Sequence, residues 1–173
     1  MGFPSEGRGG WNQEPSAKLL QLHRHSLATL LVTGGQSELR RAVAFAFHET
    51  GPLREGPFVY VDCRSDGPRL TAALQGCFSR VAGHGAGSDV VLAAWGGTLY
   101  LDHVGELQPG TQKLVMWALE RAGRDDTESW PLRFAAGNDR DLESVVEAGS
   151  FLPELYDALD KIHVELQVAH VAA

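Results

Sequence analysis

Gly96-Gly97-Thr98-Leu99-Tyr100-Leu101-Asp102-His103-Val104-Gly105-Glu106-Leu107 carries the first clear structural signal in the chain. A double glycine leads into five mostly β-favouring residues, and the run stops on a carboxylate. A histidine, a second glycine and another carboxylate follow. A short apolar run bounded by glycines reads as a buried strand. Open α/β sheets place their ligand chemistry at the carboxyl ends of such strands, which is where Asp102 stands.

Bulk composition sets the frame around that strand. A chain of 173 residues suits one domain with a real core. Its 43% hydrophobic and 21% charged residues are those of a globular protein. The formal net charge of −7 argues against a basic nucleic-acid surface, so no direct nucleic-acid binding is expected. No apolar run approaches the roughly 20 residues of a membrane helix, and no signal peptide opens the sequence. Cys63 and Cys77 make neither a disulfide framework nor a zinc set. A cytoplasmic protein with both thiols reduced is the plain reading.

Outward from the central strand, apolar runs alternate with helical periodicity. Residues 1–15 read as a tail rich in Gly, Pro and polar residues. Ser16 suits the cap of a helix carrying Leu19, Leu20 and Leu22. A buried strand at 28–33 ends on Gly34-Gly35, and a helix at 38–49 presents Leu39, Ala42, Val43, Ala46 and Phe47. A second strand at 58–62 precedes a helix at about 68–81 with Leu70, Leu74, Cys77 and Phe78 on one face. A glycine-rich loop at 83–88 and a short turn at 89–94 lead back to the opening strand. A helix at 108–124, a polar turn at 123–129, a strand at 132–136, helices at about 140–148 and 152–160 and a strand at 162–166 complete the pattern. Such alternation implies a mainly parallel sheet covered on both faces, with right-handed crossovers.

Taken in order, these segments resemble the AAA+ core of sigma-54-dependent transcription activators. The stretch Gly96 to Leu107 is similar to that family's Walker B region, G-G-T-L-F-L-D-E-I-G-E-L. Asn138-Asp139-Arg140-Asp141-Leu142 resembles its sensor segment T-N-R-D-L. Ala148 to Tyr156 resembles A-G-x-F-R-x-D-L-Y, and Pro57 to Cys63 resembles P-F-V-x-V-N-C. The resemblance covers about residues 18–168. It implies a three-layer P-loop NTPase fold with a five-stranded sheet in the order 5-1-4-3-2. The expected organisation is a tail over 1–15 and a core over 16–173 without the family's helical lid.

The family's chemistry transfers only in part. Its phosphate loop, G-x-x-x-x-G-K-[ST], surrounds phosphates with backbone N–H groups, adds a lysine and brings a hydroxyl to magnesium. Here stands Gly34-Gly35-Gln36-Ser37-Glu38-Leu39-Arg40-Arg41. Leu39 replaces the second glycine, where a side chain would crowd the phosphate path. Arg40 replaces the lysine, and a wide guanidinium is a poor substitute for a compact ammonium. The simplest expectation is a plain strand-to-helix turn with both arginines solvated. Asp102 keeps the Walker B position, where the resemblance implies a magnesium ligand if magnesium-nucleotide binds; otherwise it satisfies hydrogen bonds at a strand end. His103 replaces the water-polarising glutamate and reads as a neutral replacement, with general-base catalysis as the alternative.

Leu152 and Ala158 occupy the places of the family's arginine finger and a second nearby arginine. Arg133 and Arg140 match family positions in segments that pack and position. Asn138 and Asp139 compete for the sensor position. The sigma-contacting loop, G-A-F-T-G-A in the family, falls on Arg80 to Ser88, which lacks its phenylalanine and threonine, so direct remodelling of sigma-54 is not expected. His23 and His25, two apart on a helix, point to different sides. The four tryptophans read as scattered, with no stacking platform.

Three functional readings result. The first is a degenerate core that has lost efficient ATP hydrolysis, needs no cofactor and acts through a protein partner: an AAA+ relative, a signalling protein or itself. The second is a weak magnesium–ATP module using Gly34, Gly35, Arg40 or Arg41 for phosphate and Asp102 for magnesium. The third is a site for another anion, such as a cyclic dinucleotide, at Arg40, Arg41 and Arg64.

Overall fold

The computed structural model describes residues 27–81, 90–123 and 129–167. The expected tail, the helix capped by Ser16, His23, His25 and the loop at 83–88 lie outside the described residues.

Five strands form one sheet: β1 (Leu30–Gly34), β2 (Phe58–Asp62), β3 (Thr98–Asp102), β4 (Arg133–Asn138) and β5 (Ile162–Leu166). Every neighbouring pair is parallel, in the order β2-β3-β4-β1-β5. Read in reverse, this is the expected 5-1-4-3-2. The described helices are α1 (Ser37–Glu49), α2 (Gly67–Val81), α3 (Val90–Ala93), α4 (Pro109–Ala122), α5 (Leu142–Glu147) and α6 (Pro153–Leu159). A single 3-10 turn, Val104–Glu106, follows β3.

Side chains alternate across the sheet and divide the core in two. Leu31, Val61, Leu99, Leu101, Phe134 and Ala136 face the side covered by α2, α4 and α6, where Leu70, Leu74, Val115, Ala118, Leu155 and Leu159 complete the larger cluster. Leu30, Val32, Tyr100, Ala135, Ile162, Val164 and Leu166 face α1, which contributes Val43, Ala44 and Phe47. A sheet buried on both faces explains why β1, β3 and β4 read as continuous runs rather than as alternating patterns.

Some boundaries and faces differ from the sequence reading. β4 runs two residues past Ala136, because Val32 pairs with Gly137 and Thr33 with Asn138. The helix expected from 140 starts at Leu142, since Asp141 caps it by accepting from the Glu143 and Ser144 amides. On α1 the buried stripe is Arg40, Val43, Ala44, Phe47 and His48; Ala42 is exposed and Leu39 and Ala46 are only partly covered. An arginine at position i of an i, i+3, i+4, i+7 stripe was the sign that it points inward.

The reading of the tryptophans is also corrected. Trp95 lies 5.3 Å from Trp130, Trp130 lies 5.1 Å from Trp117, and Trp117 lies 5.1 Å from Phe78, ring centroid to ring centroid. The ladder joins side chains from α2, α4 and the segments flanking β3 and β4. Their separation in sequence hid it.

Two buried cations and a buried imidazole link α1 to β3 and β4. Arg133 stacks on the Phe47 ring at 3.4 Å and donates to the Phe47 and Ala28 carbonyls, while burial pushes its guanidinium down to about 10. Arg40 is described with the site below. His48 lies 2.9 Å through Nδ1 from the Thr98 hydroxyl, within an aromatic group of Phe45, Phe58 and Tyr100. Burial lowers its pKa, outweighing the Gly56 backbone and Glu49, which act to raise it. The unfolded chain therefore binds a proton at His48 more readily than the fold does. Its contribution is fully present above the unfolded value of about 6.5 and is lost as pH falls through the lowered folded value. Denaturation midpoints measured between about pH 7 and pH 5 are expected to fall less in His48→Gln than in the parent.

Candidate functional site

The carboxyl ends of β1, β3 and β4 meet at one edge of the sheet, beside the amino end of α1. Gly34 and Gly35 turn the chain from β1 into α1 with φ of +80° and +61°. A side chain at Gly34 would also collide with the Leu166 carbonyl, so only glycine serves there. This turn directs the Gly34 and Gly35 carbonyls into the space between the loop and β3.

Arg40 fills that space. Its Nη1 donates to the Gly34 carbonyl at 3.0 Å and to the Gly35 carbonyl at 2.7 Å. Its Nε and Nη2 form a fork on Asp102, at 2.8 Å to Oδ1 and 3.1 Å to Oδ2. Nη2 also donates to the Ser37 hydroxyl at 2.9 Å. Arginine has five N–H donors, and these five bonds use all of them. Arg40 is 1% exposed and Asp102 is wholly buried.

Asp102 is as fully engaged. Besides Arg40, its Oδ2 accepts from Ser37 at 2.8 Å and its Oδ1 from the Tyr100 hydroxyl at 3.0 Å. Burial acts to raise its pKa, but the bonds from Arg40 and Ser37 and the Arg40 charge outweigh burial and hold the carboxyl below its ordinary value. For Arg40, burial disfavours the charge, and the bond and charge of Asp102 more than restore it. Burial, then the Asp102 charge, push the Tyr100 phenol far above its usual value, so it remains a donor. Gly137 leaves room for this group, because a side chain there would strike the Tyr100 hydroxyl and the Asp102 carboxylate.

The positions expected from the sequence separate into three groups. Gly34, Gly35, Arg40, Asp102 and His103 converge. His103 Nε2 lies 3.0 Å from Ser37 Oγ and 3.3 Å from Arg40 Nη2. It is the only non-glycine with positive φ among the described residues, at 53°. Asn138 stands one step away, accepting from the Gly105 amide at 3.1 Å and donating to the Arg140 carbonyl at 3.0 Å. Asp139, by contrast, is 50% exposed, with its carboxylate 3.9 Å from His103 Nδ1.

Arg41 is outside the group altogether: it is exposed, with its guanidinium 4.6 Å from the centre of the Tyr60 ring. The expectation of two solvated arginines is thus right for Arg41 and wrong for Arg40. Leu39, expected to crowd the phosphate path, turns instead toward the cluster under α1. Arg64 is exposed and paired with Asp62 at 2.9 Å, so the three arginines of the anion reading do not share a site. Ser37, Tyr100 and Gly137 went unrecognised in the sequence. Tyr100 offered one signal, a hydroxyl where the resembled motif has phenylalanine.

Comparison with known proteins places this geometry in context. The sigma-54 interaction domain family matches residues 12–165. The Nif-specific regulatory protein of Azotobacter vinelandii is 32% identical over 153 residues, covering 80% of this chain and 28% of that protein. Among solved structures, NtrX from Brucella abortus in complex with ATP superposes with a TM-score of 0.72 at 21% identity, over 94% of this chain and 38% of that one. The P-loop NTPase domain of a sigma-54 transport activator from E. coli gives 0.62 at 21% identity, over 86% and 98%. The structural likenesses show a P-loop NTPase fold. The chain spans 28% of the length of the curated Nif-specific relatives it matches.

Truncating one member of a buried ion pair strands the other, at a cost of about 3–5 kcal/mol, so Arg40→Met is expected to lose that much in urea denaturation. Tyr100→Phe is expected to lose about 1.5–3 kcal/mol, the range for a bond to a charged group. The depressed Asp102 value makes its contribution fully present above about pH 3.9, to be lost as pH falls through the lower folded value. In Arg40→Met the same carboxyl is buried without its cation and gains by protonation. The stability difference between parent and variant is therefore expected to narrow as pH falls from about 7 toward 3.

Proposed function

The chain belongs to the sigma-54 interaction domain family, the domain type of sigma-54-dependent transcriptional regulators, and from that premise we propose that it regulates transcription through protein contacts, without binding or hydrolysing magnesium–ATP. One observation carries this reading: Arg40 stands between the β1–α1 loop and Asp102, with every donor engaged. A phosphate needs donors facing it, and the space Arg40 fills is bordered by the Gly34 and Gly35 carbonyls and the Asp102 carboxylate. A magnesium ion needs a free carboxylate oxygen, and both oxygens of Asp102 already accept hydrogen bonds. The residues as arranged do not fit a magnesium–nucleotide.

Other positions support the same reading. His103 stands where the resembled motif has its water-polarising glutamate, and its Nε2 lies against Ser37 Oγ and Arg40 Nη2. Leu152, at the arginine-finger position, is the residue just before α6, with its amide donating to the Gln112 side-chain oxygen at 2.8 Å. On this reading the chain supplies neither a phosphate cradle of its own nor, at Leu152, an arginine to a neighbour. What remains for it is a surface: an AAA+ relative, a signalling protein or a second copy is the partner on this reading, and direct contact with sigma-54 is not part of it. No described helix is long and apolar enough to cross a membrane, and a cytoplasmic place of action follows from the regulatory role.

Isothermal titration with magnesium–ATP and magnesium–ADP is expected to give no binding heat, with no rise in melting temperature beyond that of magnesium chloride alone. Tight, magnesium-dependent binding that Asp102→Ala abolishes would overturn the proposal in favour of a weak nucleotide module.

A further inference from the structure

The group around Arg40 has a chemical character of its own. Five acceptors surround the guanidinium at 2.7–3.1 Å: the Gly34 and Gly35 carbonyls, Ser37 Oγ and both Asp102 oxygens. His103 Nε2 adds a sixth contact at 3.3 Å. An anion in place of the guanidinium would meet those five oxygens. A metal ion would need its oxygens drawn together around a point. Here they are spread about a plane: the carboxylate takes the Nε–Nη2 edge in a fork, and the two carbonyls take Nη1. Planarity, five donors and a bidentate edge are the recognition features of guanidinium, not of an ammonium or a metal.

We propose that the β1–α1 loop of this domain is a guanidinium receptor, occupied in cis by Arg40. The proposal rests on the nucleotide-free reading above and names the ligand class of that same site. Arg40 acts as a built-in ligand. It joins the loop after β1, the first turn of α1 and the end of β3, and it stays bound whatever the nucleotide concentration. The domain accordingly holds one arrangement of these elements where a ligand-gated site would have two.

Arg40→Ala removes the guanidinium and the two carbons beside it, which are the atoms of ethylguanidinium. That probe is expected to raise the melting temperature of Arg40→Ala saturably and to recover most of the loss. Ethylammonium should bind about tenfold or more weakly, because it lacks the fork. Magnesium chloride and inorganic phosphate should have no such effect. Stabilisation of the variant by phosphate, or by magnesium as strongly as by ethylguanidinium, would overturn the receptor. Should Arg40→Ala fail to fold, nitrogen-15 spectra of the parent protein decide. Separate, slowly exchanging signals from all five Arg40 guanidinium protons support the receptor, and a single averaged signal exchanging with water refutes it. The two readings fail separately: nucleotide binding by the parent removes the proposed function, whereas preference of the variant for phosphate removes only the receptor.

Discussion

A buried ion pair between Arg40 and Asp102 ties α1 and the loop before it to the end of β3. Taking a guanidinium and a carboxylate out of water costs several kcal/mol per ion, and their attraction alone repays this only in good geometry. Here the geometry is good: the fork on the carboxylate is complete, and the carbonyls of Gly34 and Gly35 and the Ser37 hydroxyl take the other donors. The constraint reaches outward. Two glycines must hold positive φ to aim their carbonyls, Gly137 must lack a side chain, and Tyr100 must keep its proton. Each is ordinary alone, and together they fix one arrangement.

The sheet explains why these residues meet. Parallel strands bring their carboxyl ends to one edge, and the order β2-β3-β4-β1-β5 sets β4 between β3 and β1. Asp102 on β3 is therefore a strand away from the loop after β1, and two side chains from the first turns of α1, Ser37 and Arg40, reach it. In a P-loop fold that gap is where phosphates lie. An arginine spans it. Its contacts there join the β1–α1 loop to the end of β3.

Much of the fold was legible along the chain. Five apolar runs gave the strands, helical periodicity gave most of the helices, and ordered motifs gave the sheet order. The departures share a cause. Asn138 extends β4 because a neighbouring strand offers it partners, which no local pattern records. The ladder of Trp95, Trp130, Trp117 and Phe78 draws on positions up to 52 residues apart. Arg40 sat on an apolar stripe and still read as a solvated cation, because arginine is rarely buried without a partner and its partner lay 62 residues away.

Sequence alone therefore determined the family, the parallel sheet and the identities at the loop and at the end of β3. Local pattern suffices for these, since strand, turn and helix signals act over a few residues. Only the tertiary structure decided what those identities do. Whether Arg40 faces water or Asp102 depends on the electrostatic gain of a buried contact against the cost of desolvation. That balance exists only once β1, α1 and β3 are packed together.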